Sequence, residues 1–274
     1  MLNRRRRAGT AARAASSELR DLEPLLDDLR VATGVQLTLD YSGTIDASET
    51  IVRGDPAYDL AWLSSNRYLD VRLHEQRPVQ ATPLSVSIMT SPLVVGVTPD
   101  IADRLTADGP DVTWADIADQ AAAGRLRFAM GDPRHSGSGQ AALVGVATAA
   151  AGTGRALRLE DVRCDRLIGF RTGHKAVTDN ADEAARQFLA AQGGINGLIT
   201  NESVLLSPNA ARGSRDPLRI IYPADGIVLS DYPLLLLKPE HRPSYDKVVE
   251  WLRGERAQRW IMDRTARRPI NPAI

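Results

Sequence analysis

Short apolar runs that stop at serine, threonine or glycine and lead straight into helical periodicity recur along this chain, and nothing else in it constrains the fold as tightly. Residues 35–41 alternate apolar and polar side chains, as a half-buried strand does, and end in Ser42-Gly43-Thr44. A short helix is expected over 48–53, then a buried-type strand over 60–63 that closes on Ser64-Ser65-Asn66. Ahead of these, Ser16 and Ser17 precede leucines at 19, 22, 25, 26 and 29 and a closing Gly34, which predicts one helix over 17–33. Strand, helix and strand in this rhythm give a mostly parallel sheet with helices packed on it.

The rest of the chain continues the pattern. A strand is expected over 88–97, broken by Pro92, followed by helices over 101–105 and 114–123. Residues 126–130 read as a strand that enters the loop Gly131 to Gly139, and 140–151 as an alanine-rich helix. A helix over 181–191, strands over 197–200 and 218–222, and one or two strands over 227–237 come next. Helices over 244–252 and 255–264 close the chain. The basic block Arg4 to Arg7 resembles the start of an export signal, but residues 8–15 lack the apolar stretch that should follow it, so residues 1–15 are expected to be flexible.

Composition removes whole classes of function. Lys+Arg and Asp+Glu both number 34, so the net charge is zero and the basic excess that generic nucleic-acid binding needs is missing. Cys164 is the single cysteine, which excludes an internal disulfide and a thiolate metal cage. No stretch reaches the run of about 18 apolar residues that a membrane-spanning helix requires.

Chemistry concentrates where strands end. In open α/β sheets ligands bind beyond the carboxyl ends of strands, where helix N-termini expose unpaired N–H groups. Four corners here are rich in small polar residues: Ser16-Ser17, Ser42-Gly43-Thr44, Ser64-Ser65-Asn66 and Ser136-Gly137-Ser138-Gly139. Hydroxyls and free N–H groups at such corners suit an oxyanion or a carboxylate, although each serine alone is also an ordinary helix cap. Asn201-Glu202-Ser203 and Tyr222-Pro223 follow two further strands. Glu202 would repel an anion unless it meets a cationic group or caps a turn.

Sharper motifs fail. Gly137-Ser138-Gly139-Gln140-Ala141-Ala142 matches G-x-G-x-x-A but lies mid-chain behind a lengthened approach, and Ser136 stands where a hydrolase elbow needs glycine. His74, His135, His174 and His241 have no metal-ligand spacing, and Cys164 has no histidine near it in sequence. Neither a catalytic set, a metal set nor a cofactor is expected.

In order and spacing, these segments resemble the type II periplasmic-binding-protein-like solute-binding domain. The resemblance is strongest to the form that precedes von Willebrand factor A domains in actinobacterial surface proteins. It is carried by Ser17-Glu18-Leu19, Tyr41 to Thr44, Asp59 to Trp62, Thr113 to Ile117, Asp132 to Gly139, Asn201 to Ser203, Tyr222-Pro223, Asp231 to Pro233 and Arg268 to Pro272. It implies two α/β lobes joined by two crossing strands, near 91–95 and 227–231. Lobe one would be 1–90 with 231–274, and lobe two 91–230. It also implies a non-enzymatic, extracellular or cell-surface domain that holds a small polar ligand between the lobes. Ser17, Ser42, Thr44 and Ser65 would bind from lobe one, and Ser136, Ser138, Asn201 and Tyr222 from lobe two. The partner would be a membrane transporter or an A domain. The contrasting expectation is a structural or interaction module whose cleft is vestigial.

Overall fold

The computed structural model describes residues 10–55, 57–76, 82–107, 109–152, 157–178, 181–190, 194–206 and 218–274. In chain order the first elements are β1 (Thr10–Ser16), α1 (Glu23–Thr33), β2 (Gln36–Ser42), α2 (Thr44–Val52), β3 (Leu60–Trp62), α3 (Arg67–Gln76) and β4 (Leu84–Ser87). Then come β5 (Met89–Val97), α4 (Pro99–Leu105), α5 (Trp114–Ala122), β6 (Phe128–Gly131), α6 (Gly137–Ala151), α7 (Cys164–Thr172), β7 (His174–Thr178) and α8 (Ala181–Leu189). The last are β8 (Gly197–Asn201), α9 (Glu202–Leu206), β9 (Arg219–Ile221), β10 (Leu229–Ser230), β11 (Pro233–Leu236), α10 (Arg242–Arg253), α11 (Glu255–Thr265) and β12 (Arg268–Pro269). They form two compact units. Unit 1 holds the described residues up to Thr90 together with Asp231–Ile274, and unit 2 holds Ser91–Ser230.

Unit 1 is built on a sheet of order β2-β1-β3-β11-β4. β1 pairs in parallel with β2 and β3, while β11 runs antiparallel to β3 and β4. Period-2 alternation sends each strand's side chains to two cores. Ala15, Leu60, Trp62, Leu234 and Leu236 face one core, shared with Leu25 and Leu29 of α1, Val248 of α10 and Ile261 of α11. Ala14, Ala61, Leu63 and Leu235 face the other, against Ala47 and Val52 of α2 and Leu69 of α3. Helices therefore cover both sides of the sheet.

Unit 2 repeats the scheme. β6 lies parallel to β7 and β8, and β5 pairs antiparallel with β8, β9 and β10. Phe128, Met130 and Ile199 face a core filled from α4, α5, α6 and α7. Ala129 and Leu198 face Ala184, Ala185 and Phe188 of α8. Each sheet is thus parallel over three strands at one edge (β2-β1-β3 and β8-β6-β7) and antiparallel toward the other, more mixed than the sequence rhythm suggested.

Several expectations need correction. The chain from Thr10 is a strand between β2 and β3 rather than a flexible tail, held by pairing on both edges and by burial of Ala14 and Ala15 in opposite cores. The single helix expected over 17–33 is a 3₁₀ segment, Ser17–Leu22, followed by α1. Pro24 has no N–H to give a continuing helix and so sits in the first turn of a new one. α2 begins at Thr44, ahead of the expected 48. Pro92 does not break β5: Leu93 donates to Val228 O (2.8 Å), so the nitrogen of Pro92 points the other way, where the β8 ladder has yet to begin at Leu93. The end expected for α8 at Ala191, and the block Arg4 to Arg7, lie outside the described residues.

Unit 1 is tied together at its two chain ends by a buried cation. Arg267, 1% exposed, donates to Asp21 (2.6 Å) and to the carbonyl of Glu18 (2.6 Å) and lies over the ring of Tyr232. The Tyr232 hydroxyl donates to the Glu18 carboxylate (3.0 Å). Tyr232 needs this support, because a φ of 41° is a strained conformation for a bulky side chain.

Candidate functional site

The carboxyl ends of β2, β1 and β3 lie side by side in unit 1, with Ser16 opposite Ser42 and Ala15 opposite Trp62. Each strand turns there into a helical segment, and the corner residues meet. Thr44 Oγ1 bonds both Ser16 Oγ (2.7 Å) and Ser64 Oγ (2.7 Å), and the Ser64 N–H donates to Ser16 Oγ (2.9 Å). All three side chains are buried. This loop of bonds runs through Ser64 twice and fixes three strand ends to one another.

Of the residues expected in this lobe, only Thr44 belongs to that closed set. Ser17, Ser42 and Ser65 flank it, half-buried on the same edge. Ser42 Oγ donates to Gly43 O at 3.4 Å and Ser65 Oγ accepts from Arg67 N–H at 3.4 Å, both long bonds. Ser16 and Ser64, the immediate neighbours of the expected Ser17 and Ser65, point inward instead.

The same edge carries two carboxylates. Asn66 Nδ2 donates to Asp70 Oδ2 (2.9 Å), and Ser87 Oγ donates to Asp231 Oδ2 (3.3 Å). The Oδ1 atoms of both aspartates are buried without a partner among the described residues. Burial, and then the nearby charge of Asp231, push the Asp70 carboxyl above its ordinary range.

In unit 2 the ends of β7, β6 and β8 form the corresponding edge, with Gly131 opposite Thr178 and Met130 opposite Ile199. The loop after β6 is held by Asp132 N–H donating to Thr178 O (2.6 Å). Arg134 donates to both oxygens of Asp132, at 3.0 Å from Nε and 2.5 Å from Nη2, and holds that carboxyl down at about 2. Ser136 caps α6, accepting from Gly139 N–H (3.4 Å), and its hydroxyl lies 3.0 Å from that of Ser138. The structure brings these two expected residues together, both buried, at the start of a 15-residue helix with no acidic residue in its first turn.

Gly139 has a packing role in this loop. A Cβ on Gly139 would stand 2.1 Å from Gly131 O, so only glycine lets α6 begin so close to the end of β6. That close approach accounts for the second glycine of the G-x-G-x-x-A pattern.

Asn201 is fully buried, and Ser230 Oγ donates to its Oδ1 (3.0 Å). Tyr222, 41% exposed, donates its hydroxyl to Glu202, which answers what that carboxylate does: it accepts a hydrogen bond from within its own unit. Ser91 Oγ accepts from Ser203 N–H (3.0 Å). Ser203 closes the Asn201-Glu202-Ser203 corner but was not among the expected ligand residues. It is 2% exposed, yet its own hydroxyl has no partner among the described residues. The unpartnered hydroxyl is a tertiary property with no sequence signal.

The remaining candidates fall outside both edges. His174 stacks on Phe128 and bonds Met130 O (2.9 Å), and Cys164 is exposed at the start of α7. No group of three metal-ligating side chains occurs among the described residues. A cavity of about 570 Å³ in unit 1 is lined by Thr33, Lys247, Trp251 and Arg256. It lies at the far end of α1, which runs about 16 Å back from the strand ends.

Two sheets covered by helices on both sides, each with a polar carboxyl edge, define a binding-protein architecture. The chain belongs to the family of bacterial extracellular solute-binding proteins, whose model matches residues 14–264. Its fold is that of two-lobed periplasmic binding proteins. The sulfate-binding protein SubI from Mycobacterium tuberculosis H37Rv superposes with a TM-score of 0.67 at 18% identity, over 97% of this chain and 88% of that one. Iron-bound HitA from Pseudomonas aeruginosa gives 0.70 at 14% identity, over 97% and 88%. AfuA from Actinobacillus pleuropneumoniae, with fructose-6-phosphate bound, gives 0.70 at 15% identity, over 97% and 86%. No curated protein matches the chain in sequence.

Proposed function

We propose that this protein is a non-enzymatic receptor for a small polar solute, with unit 2 taking the ligand's anionic end. The observation that carries this reading is the pairing of Ser136 and Ser138 at the start of α6, whose first turn has no acidic residue. Two hydroxyls and the free N–H groups of a long helix favour an oxyanion or a carboxylate. Unit 1 cannot supply the same environment, because Asp70 and Asp231 stand on its edge. The other end of the ligand would therefore be neutral or hydrogen-bond donating and would meet Ser17, Ser42 and Ser65. Asn201 and Tyr222 complete unit 2's set, Tyr222 through its ring edge, since its hydroxyl is given to Glu202. The partner on this reading is a membrane transporter, and the setting is the outside of the cell.

The test is a thermal-shift panel of sulfate, inorganic phosphate, molybdate, amino acids and sugar phosphates. A ligand at about 100 times its dissociation constant adds about 2.7 kcal/mol of stability, a shift of several degrees. The double variant Ser136→Ala/Ser138→Ala should abolish the shift. Unchanged affinity in that variant sinks the assignment. A flat panel would move the reading to an interaction module beside a von Willebrand factor A domain.

A further inference from the structure

A buried hydroxyl without a partner is costly, by about 1–3 kcal/mol, and native proteins satisfy nearly all of them. Two occur among the described residues of unit 2, on Thr200 and Ser203. They differ in position. Thr200 lies within β8, one residue before its end and on the face that carries Leu198, so its hydroxyl belongs to the sheet's packing. Ser203 lies beyond the end of the strand, at the edge where ligands of such sheets bind.

The surroundings of Ser203 are polar and fixed. Its N–H is held by Ser91 Oγ (3.0 Å), and the neighbouring Asn201 is held by Ser230 Oγ (3.0 Å). Ser91 and Ser230 pair across β5 and β10, and they are the first and last residues of unit 2. The backbone of Ser203 is thus anchored to the first residue of the unit, and the side chain of Asn201 to the last, while the Ser203 hydroxyl has no partner among the described residues. Nearby Glu202 already accepts from Tyr222.

We propose that Ser203 is a ligand-recognition residue of unit 2, its hydroxyl donating to an oxygen of the bound solute. This rests on the solute-binding reading and adds to it a residue outside the Ser136 and Ser138 corner. The energy that a satisfied partner would have contributed to folding is available to binding instead.

The experiment uses Ser203→Ala and, as a control, Thr200→Val, each in the full chain. Melting temperature is read without ligand, and affinity is read by calorimetry for whichever member of the same panel (sulfate, inorganic phosphate, molybdate, an amino acid or a sugar phosphate) stabilises the wild type most. The expected result is an unliganded melting temperature unchanged or raised in both variants, with affinity lowered about tenfold in Ser203→Ala alone. A fall in the unliganded melting temperature of Ser203→Ala would show a structural partner for the hydroxyl and overturn the proposal. So would equal affinity of Ser203→Ala and wild type for a probe that binds. A wild type that none of the probes stabilises overturns the solute-binding reading, and this assignment with it.

Discussion

At the strand ends of unit 1 the hydroxyls of Ser16, Thr44 and Ser64 bond one another, whereas beyond β8 in unit 2 the Ser203 hydroxyl has no partner among the described residues. Ser16, Thr44 and Ser64 form a closed set in which each buried hydroxyl has a protein partner. At the end of β8, Ser91 and Ser230 serve the backbone of Ser203 and the side chain of Asn201, and the Ser203 hydroxyl has none. The carboxylates differ in the opposite sense: Asp132 of unit 2 is clasped by Arg134, while Asp70 of unit 1 faces Asp231. The same strand-to-helix corner can therefore serve as a clamp or as a receptor. Which it becomes depends on whether its polar atoms are satisfied from within.

The comparison can be broken most severely at Gly139. Replacing it with alanine drives a methyl group against Gly131 O, where the available space is 2.1 Å, and the obstacle is backbone that cannot swing aside. Overpacking of this kind should destabilise unit 2 by about 3 kcal/mol or more. Hydrogen exchange will report the loss in β6 and α6, while β1 and β3 of unit 1 keep their protection. Equal loss of protection in both units would show that their edges are not separately stabilised.

Thr44→Val tests the clamp. The substitution keeps the shape but leaves Ser16 and Ser64 each short of a partner in a site with no room for bulk water. Urea unfolding should show a loss of about 1–3 kcal/mol. The hydroxyl of Thr44 touches both of its neighbours, so restoring one serine–serine contact cannot recover the whole. A neutral result would mean that the three hydroxyls are satisfied by other groups, and the contrast with unit 2 would vanish.

Much of this arrangement was legible beforehand, and the reason is periodicity. Residues 35–41, 60–63, 126–130 and 197–200 announce their strands because each alternates or is apolar throughout and stops at a polar corner. Elements with little apolar content were silent. α3 buries only Leu69, α7 only Phe170, and β7 has the polar His174 and Lys175 at its start. β1 was hidden for a different reason: alanines carry weak strand preference, and only two packed faces make them a strand. At the edges, the corners could be read but not the inward-facing member of each pair. Choosing between Ser16 and Ser17, or Ser64 and Ser65, depends on the phase at which a strand ends, and a shift of one residue reverses it. Whether a hydroxyl is satisfied is later still in the hierarchy, since Ser91 lies 112 residues from Ser203.

The two acidic sites should respond to pH in opposite directions. Asp132 has its carboxyl depressed to about 2 by Arg134, so it stabilises the folded state above the ordinary carboxylate range, and that contribution is lost as pH falls toward 2. Asp70 is raised, first by burial and then by Asp231, so its contribution is favourable in acid and is lost as pH rises through its folded value. At neutral pH Asp132→Asn should therefore be less stable than wild type, and the gap should close in acid. Asp70→Asn should be more stable at neutral pH, since the amide oxygen still accepts from Asn66 while the repulsion of Asp231 disappears. That gain too should shrink as pH falls, because the wild-type carboxyl then becomes neutral on its own. Both effects should stay below about 1 kcal/mol, since the Arg134 side chain is 79% exposed and Asp70 is only partly buried. Urea midpoints measured from pH 3 to 7 will separate them. Parallel pH profiles in the two variants would show that the edges share one electrostatic environment, and the division between clamp and receptor would then rest on the hydroxyls alone.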